Sequence, residues 1–212
     1  MANSSTDICN LALDLLSAGT VQDVENPTDA TEELLNRWYD VTRKRLLREH
    51  AWNFAAKRVI LAASSTDPAF GYTKAFPVPA DFVRILYIND TRYTSDVPTV
   101  SELYQFEDGN ILTSDQFTSS TSLKLVYVSD FTNVSRMDPM FVDLLAHEIA
   151  LKVAYKVTET NTNVERIESL RRSASLMAKA VDGQERPPKK IERSYNRHVR
   201  RNGRGREDRI IF

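Results

Sequence analysis

LKLVYVSDFTNVSRMDPMFVDLLAHEIALKV, residues 123–153, changes its structural period part-way along. Leu123 to Val128 is rich in β-branched and aromatic side chains and reads as the clearest strand of the chain. Asp138 followed by Pro139 then supplies an N-cap with proline at the first helical position, where its missing N–H is no loss. Behind this cap Phe141, Leu144, Leu145, Ile149, Lys152 and Val153 trace the inner face of a helix expected to reach about Thr158. A strand handing over to an amphipathic helix points to an α+β fold.

Upstream of this stretch, strands dominate. Trp52, Phe54, Ala56 and Arg58 alternate with Asn53, Ala55 and Lys57, which predicts an extended segment entering a β region. Gly71 to Pro79 adds an extended piece with Tyr72 and Phe76. Pro77 and Pro79 keep it out of helices and central strands. Phe82 to Ile88 is a β-branched run, and Asp108-Gly109 between Leu103-Tyr104-Gln105-Phe106 and Ile111-Leu112-Thr113 has the form of a tight hairpin turn. An antiparallel sheet accounts for all of them.

The two ends are helical. The first helix is expected to take Ser5 or Thr6 as N-cap, bury Ile8, Leu11, Ala12 and Leu15, and stop at Gly19. Thr28 or Asp29 opens the second, with Asp29 and Glu32 spaced as a capping box. Leu34, Leu35, Trp38, Val41 and Leu46 face inward, Arg37, Arg43, Lys44 and Arg48 face water, and the helix ends near His50. After the helix that follows Pro139, residues Val164, Ile167, Leu170, Ala174, Met177 and Val181 repeat at helical spacing until Gly183. A helix with one apolar stripe must bury it, so the terminal pairs pack on each other around an inserted sheet. The chain divides into first helices at 1–51, an inserted antiparallel β region at 52–136, the last helices of a bundle of about four at 137–183, and an extended basic arm at 184–212.

That arm carries the charge asymmetry. The chain as a whole has a formal charge of −1, but beyond Asp182 ten cations face four anions, so this end carries +6 and residues 1–182 carry −7. Its cations are Arg186, Lys189, Lys190, Arg193, Arg197, Arg200, Arg201, Arg204, Arg206 and Arg209. Tyr195, His198 and a terminal Ile210-Ile211-Phe212 are interleaved. An apolar tip on a polybasic tether suits a protein groove with acidic surroundings, the arginines pairing with carboxylates or phosphates. The arm is thus the candidate docking element. With 42% hydrophobic and 27% charged residues and a mean hydropathy of −0.40, the composition is that of a soluble globular protein. No apolar run reaches the 18 to 20 residues or so that cross a bilayer. The opening MANSSTDICNLALDLL has no basic region before its apolar residues, so a secretion signal is not expected, and a lone Cys9 fits folding in the cytoplasm without a disulfide.

Catalytic patterns are thin. His147-Glu148-Ile149-Ala150-Leu151 begins like the zinc-protease helix but has leucine where the second histidine ligand belongs. The glycines Gly19, Gly71, Gly109, Gly183, Gly203 and Gly205 form no phosphate loop, no serine sits in a nucleophile elbow, and Cys9 lies on an apolar helical face. Glu102, Glu107, Asp108 and Asp115 could meet across the sheet as a glycosidase pair, but dispersed carboxylates are ordinarily solvated. No catalytic, metal or cofactor residue is therefore assigned, and an enzyme is not expected.

The order of several motifs resembles the tail tubular protein A family, the head-to-tail adaptors of short-tailed bacteriophages. The motifs are Ile8-Cys-Asn-Leu-Ala-Leu13, Leu47-Arg-Glu-His-Ala-Trp-Asn-Phe-Ala-Ala-Lys-Arg58, Tyr72-Thr-Lys-Ala-Phe-Pro-Val-Pro-Ala-Asp81, and Asp138-Pro-Met-Phe141 leading into Leu145-Ala-His-Glu-Ile-Ala-Leu151. The resemblance spans residues 8 to about 157. It implies a virion tail protein assembled in the host cytoplasm, with copies of itself in a dodecameric ring whose channel passes DNA. The portal protein would bind the helices and a tail nozzle like tail tubular protein B the β region. It also implies that Trp52, Phe54, Tyr72 and Phe76 pack the helix-to-sheet junction. On this reading the arm docks on the portal; no membrane partner is implied. Two other classes compete: a nucleic-acid-binding protein acting through the basic arm, and a hydrolase of cell-wall polymer, which needs paired carboxylates in a cleft.

Overall fold

The computed structural model describes residues 2–89, 91–92, 104–114, 121–158 and 164–185. Four helices frame it: α1 (Ser5–Leu15), α2 (Ala30–Glu49), α3 (Pro139–Thr158) and α4 (Val164–Gln184). The N-cap of α1 is Ser4, one residue before the expected position. Its Oγ accepts from Asp7 N, and the Asp7 carboxylate accepts from Ser4 N, a reciprocal box that satisfies two free donors of the first turn. The chain turns out of the helix at Ser17, which takes φ 55 while its N–H donates to Asp14 O and that of Ala18 to Leu13 O. These are the paired bonds of a Schellman ending, reached two residues before Gly19 and with serine in the left-handed place. Asp29 caps α2 through Thr31 N and Glu32 N, and Asp138 caps α3 through Met140 N and Phe141 N, both as the sequence indicates.

Helix α3 is the axis of the bundle. It packs against α1, α2 and α4, and buried residues from Phe141 to Ala154 cover most of its circumference. The helices before and after the β region therefore share one core, with Ile8, Leu13, Leu35, Leu47, Phe141, Leu145 and Ile149 all removed from water.

The β region makes two antiparallel sheets rather than one. Strands β1 (Ala56–Ala62), β7 (Ser122–Ser129), β3 (Phe82–Ile88) and β4 (Thr91–Arg92) lie side by side in that order, and β2 (Lys74–Pro77), β6 (Asn110–Thr113) and β5 (Tyr104–Glu107) form a second sheet. The strand with the strongest sequence signal, β7, pairs with β1 on one side and β3 on the other. Both of its faces are used: Val128 joins the helical core, while Leu123, Leu125 and Tyr127 join a second core with Phe76, Ile85, Ile88 and Ile111. A bulge between Ile85 and Tyr87 turns Leu86 toward the helices and keeps Ile85 and Ile88 on the sheet-to-sheet side. The layers run helices, four-stranded sheet, three-stranded sheet. Asp108 and Gly109 at φ 46 and φ 70 give β5 and β6 the doubly left-handed turn that matches strand twist.

Several faces differ from the sequence reading. The extended segment starting at Trp52 is first a short 3-10 turn, Asn53–Ala55, before β1 begins. Tyr72 and Phe76 lie with the three-stranded sheet, so only Trp52 and Phe54 of the expected four pack the helix-to-sheet junction, where they meet Phe131 and Phe141. Leu11 and Lys152 are exposed, Val41 is 58% exposed, and Arg43 is buried in place of an outward-facing cation. Helix α4 runs through Gly183 to Gln184 and buries Ile167, Ala174, Ala178 and Asp182, leaving Leu170, Met177 and Val181 of the expected stripe exposed. The stripe of identical hydropathy was satisfied by only one of its flanks, because α3 covers only that side.

Candidate functional site

The end of α4, where the described residues stop before the basic segment, is fastened by a polar junction with the α2 terminus. The Asp182 carboxylate is buried, accepts from Asn53 N at 2.7 Å and lies 3.0 Å from His50 Nε2. Asn53 Nδ2 donates in turn to Asp182 O at 2.6 Å and to Glu185 Oε2 at 3.4 Å. One helical turn back, Lys179 Nζ bonds Glu49 Oε1 at 2.6 Å, and this bond holds the Glu49 carboxyl below its ordinary range. Three carboxylates, a histidine, an amide and a lysine thus tie the end of α4 to the segment Glu49 to Asn53.

The same segment is braced from below. Trp52 is buried, with Nε1 donating to Leu46 O at 2.8 Å and its ring edge-on to His50 and Phe141. Arg84 Nη1 from β3 reaches the carbonyls of Arg48 and Glu49, satisfying the open end of α2 with a cation, the charge a helix C-terminus favours. Arg48 Nη1 returns a bond to Val83 O at 2.8 Å. The segment that holds the end of α4 is thus braced by α2 and β3 together.

Three more networks set the electrostatics of the described residues. Glu148 on α3 is shared by Arg45 Nη2 at 2.6 Å and Arg171 Nη1 at 3.2 Å, which joins α2, α3 and α4. Arg43, 2% exposed, donates to Asp130 Oδ1 at 2.6 Å, Phe131 O at 2.7 Å and Asp40 Oδ1 at 3.1 Å, so the strand-to-helix connection is pinned to α2. Glu32 accepts from Thr28 N, Asp23 N, Gln22 N and Thr28 Oγ1, and these backbone donors, Thr28 foremost, hold its pKa at about 2. It organises the α1–α2 loop instead of closing a box with Asp29.

Of the docking residues read from the sequence, Arg186, Lys189, Lys190, Arg193, Tyr195, Arg197, Arg200, Arg201, Arg204, Arg206, Arg209, Ile210, Ile211 and Phe212 all lie outside the described residues. His147 is buried on α3 with Nδ1 2.9 Å from Asp143 O, and its neighbour Glu148 is taken up by two arginines. Glu107 and Asp108 are exposed at the β5–β6 turn, while Glu102 and Asp115 lie outside the described residues. Among the described residues, no group of three or more His, Cys, Asp and Glu could hold a metal. Neither a family model nor a curated protein matches the chain. The sequence names His50 as a helix end and carries His50 and Asn53 in the motif Leu47 to Arg58, but it gives neither of them, nor Asp182, a junction role. Asp182 carried one signal, its four-residue spacing from the buried Ala178 and, a turn further back, Ala174.

Proposed function

We propose that this chain is a structural head-to-tail adaptor of a short-tailed phage virion, a ring between portal and tail nozzle with a channel for DNA. Catalysis is no part of this reading. The observation that carries it is the division of labour at Asp182: residues of net charge −7 end in a helix fastened to the α2 terminus and to the Asn53 turn, and the +6 segment starts there. A rigid root with a charged, apolar-tipped extension is what docking into a preformed groove calls for, because ordering the root in advance lowers the entropy lost on binding. The motifs resembling the adaptor family include the junction itself, His50 to Phe54. On the other side, a groove of about 550 Å³ beside the three-stranded sheet, next to the exposed Phe70 and lined by Tyr72 and Glu107, gives the nozzle a surface.

The test is the mass of the protein alone and mixed with purified portal. A ring-sized complex that forms with the full chain and is lost on deleting residues 186–212, with helical circular dichroism retained, is the expected result. Unchanged portal binding by the truncated chain removes the arm from the mechanism. The arm's +6 also suits a nucleic-acid-binding protein, for which DNA affinity would fall steeply with salt. The acidic body opposes that reading, and a flat DNA titration at low salt ends it.

A further inference from the structure

Two cavities meet at Val134, in the 3-10 turn Val134–Arg136 that leads into α3. One is an apolar groove of about 200 Å³ lined by Leu11, Met137, Pro139 and Val142, with Asp143 at its edge. An apolar cavity of roughly 150 Å³ already admits a benzene ring, so this groove has room for one aromatic side chain. The other, of about 270 Å³, is polar and lined by Asn36, Tyr39, Asp40, Glu25 and Arg43.

The polar cavity has acceptors to spare. The buried Tyr39 Oη has no hydrogen-bond partner among the described residues. Ser5 Oγ occupies one oxygen of Glu25 and Arg43 one oxygen of Asp40, while the Asn36 amide nitrogen is spent on Val24 O, leaving its oxygen. Arg43 is itself neutralised by Asp40 and Asp130. Acceptors grouped beside two carboxylates suit a planar cationic donor such as a guanidinium. The surroundings agree in sign: Asp7 and Asp14 flank the exposed Leu11 on the outer face of α1, against one exposed cation in the turn, Arg136.

We infer that these paired cavities hold a segment of this same chain, Arg209 to Phe212, with Phe212 in the apolar groove and the Arg209 guanidinium in the polar one. From Arg209 to Phe212 an extended chain spans about 10 Å, the scale of two cavities sharing a wall. The 23 residues from 186 to 208 can stretch about 75 Å, several times the radius of gyration of about 16 Å expected for a body of this size. Tethering makes the encounter intramolecular, at an effective concentration far above that of a free peptide. The inference rests on the adaptor reading only for its consequence: a portal must displace the tip from its own body before the arm can dock.

The experiment uses the full chain with Phe212 replaced by the photoreactive p-benzoylphenylalanine, irradiated without any partner and mapped by mass spectrometry. Crosslinks to residues 134–143 or to Leu11 are expected, within single chains in a mixture of light and heavy isotope-labelled protein. They should fall several-fold on adding Arg209→Glu, and again between about 0.05 and about 0.5 M salt. Crosslinks scattered over the body, light-to-heavy pairs, or a yield indifferent to Arg209→Glu would overturn the inference. Portal binding is read separately, so a chain that binds portal without this crosslink refutes the parked tip and leaves the adaptor standing, and the reverse pattern does the opposite.

Discussion

Arg43 and Glu32 show how one side chain can organise residues far along the chain. Arg43 is buried because its guanidinium meets an acid and a carbonyl at Asp130 and Phe131, positions brought to α2 by the strand-to-helix connection. Arg43→Ala leaves Asp130 without its closest partner and opens a void, at a cost of about 3 kcal/mol in urea unfolding. A loss under about 0.5 kcal/mol would mean that the ion pair has no structural weight. Glu32 gives a pH signature. Its folded pKa of about 2 lies below the ordinary 4.5, so its stabilisation is present above pH 4.5 and is lost as pH falls toward 2. Glu32→Gln puts amide hydrogens against backbone donors. Its melting temperature should fall by several degrees at pH 7, and the gap should close as pH drops from 4.5 to 2. A gap independent of pH would assign the loss to packing instead.

At the scale of elements, the Asp182 junction decides whether α4 ends rigidly. Asp182→Ala removes acceptors from Asn53 N and His50 and costs about 2 kcal/mol. The loss should be local: amide hydrogen exchange quickens from Ala178 to Gln184 while α3 keeps its protection. Uniform acceleration across the bundle would show that the junction serves the whole core. The β5–β6 turn offers a second test, since Gly109 at φ 70 has open space around it and only its backbone resists substitution. Gly109→Val costs about 1 to 2 kcal/mol through left-handed strain alone. These elements also mark what sequence reading can reach. Asp138-Pro139 and Asp108-Gly109 were legible because a cap and a turn are decided by residues adjacent in the chain. Val41, Lys152 and half of the α4 stripe were not, since the neighbour that covers a helix face comes from another element. The junction was illegible for the same reason: Asp182 and Asn53 are 129 residues apart.

For the whole molecule the useful reporter is Cys9, the only cysteine, which sits on α1 wholly inside the core shared by all four described helices. Burial pushes its thiol pKa up to about 12, so at pH 8 almost no thiolate exists in the folded state and no reagent can approach it. Unfolding returns the thiol to its ordinary reactivity. Labelling by a thiol reagent across a urea series should therefore begin only where helical circular dichroism begins to fall, with coincident midpoints. Because α1 meets the rest of the bundle mainly through α3, the alternative is definite: a labelling transition at lower urea than the loss of ellipticity would mean that α1 peels away as a separate unit. Arg43→Ala should shift both curves together, since its partners lie on α2 and on the connection into α3. Asp182→Ala should move the labelling curve less than it moves amide exchange at the α4 terminus, because the bonds of Asp182 run to His50 and Asn53 and not to α1, so fraying there need not open the core around Cys9.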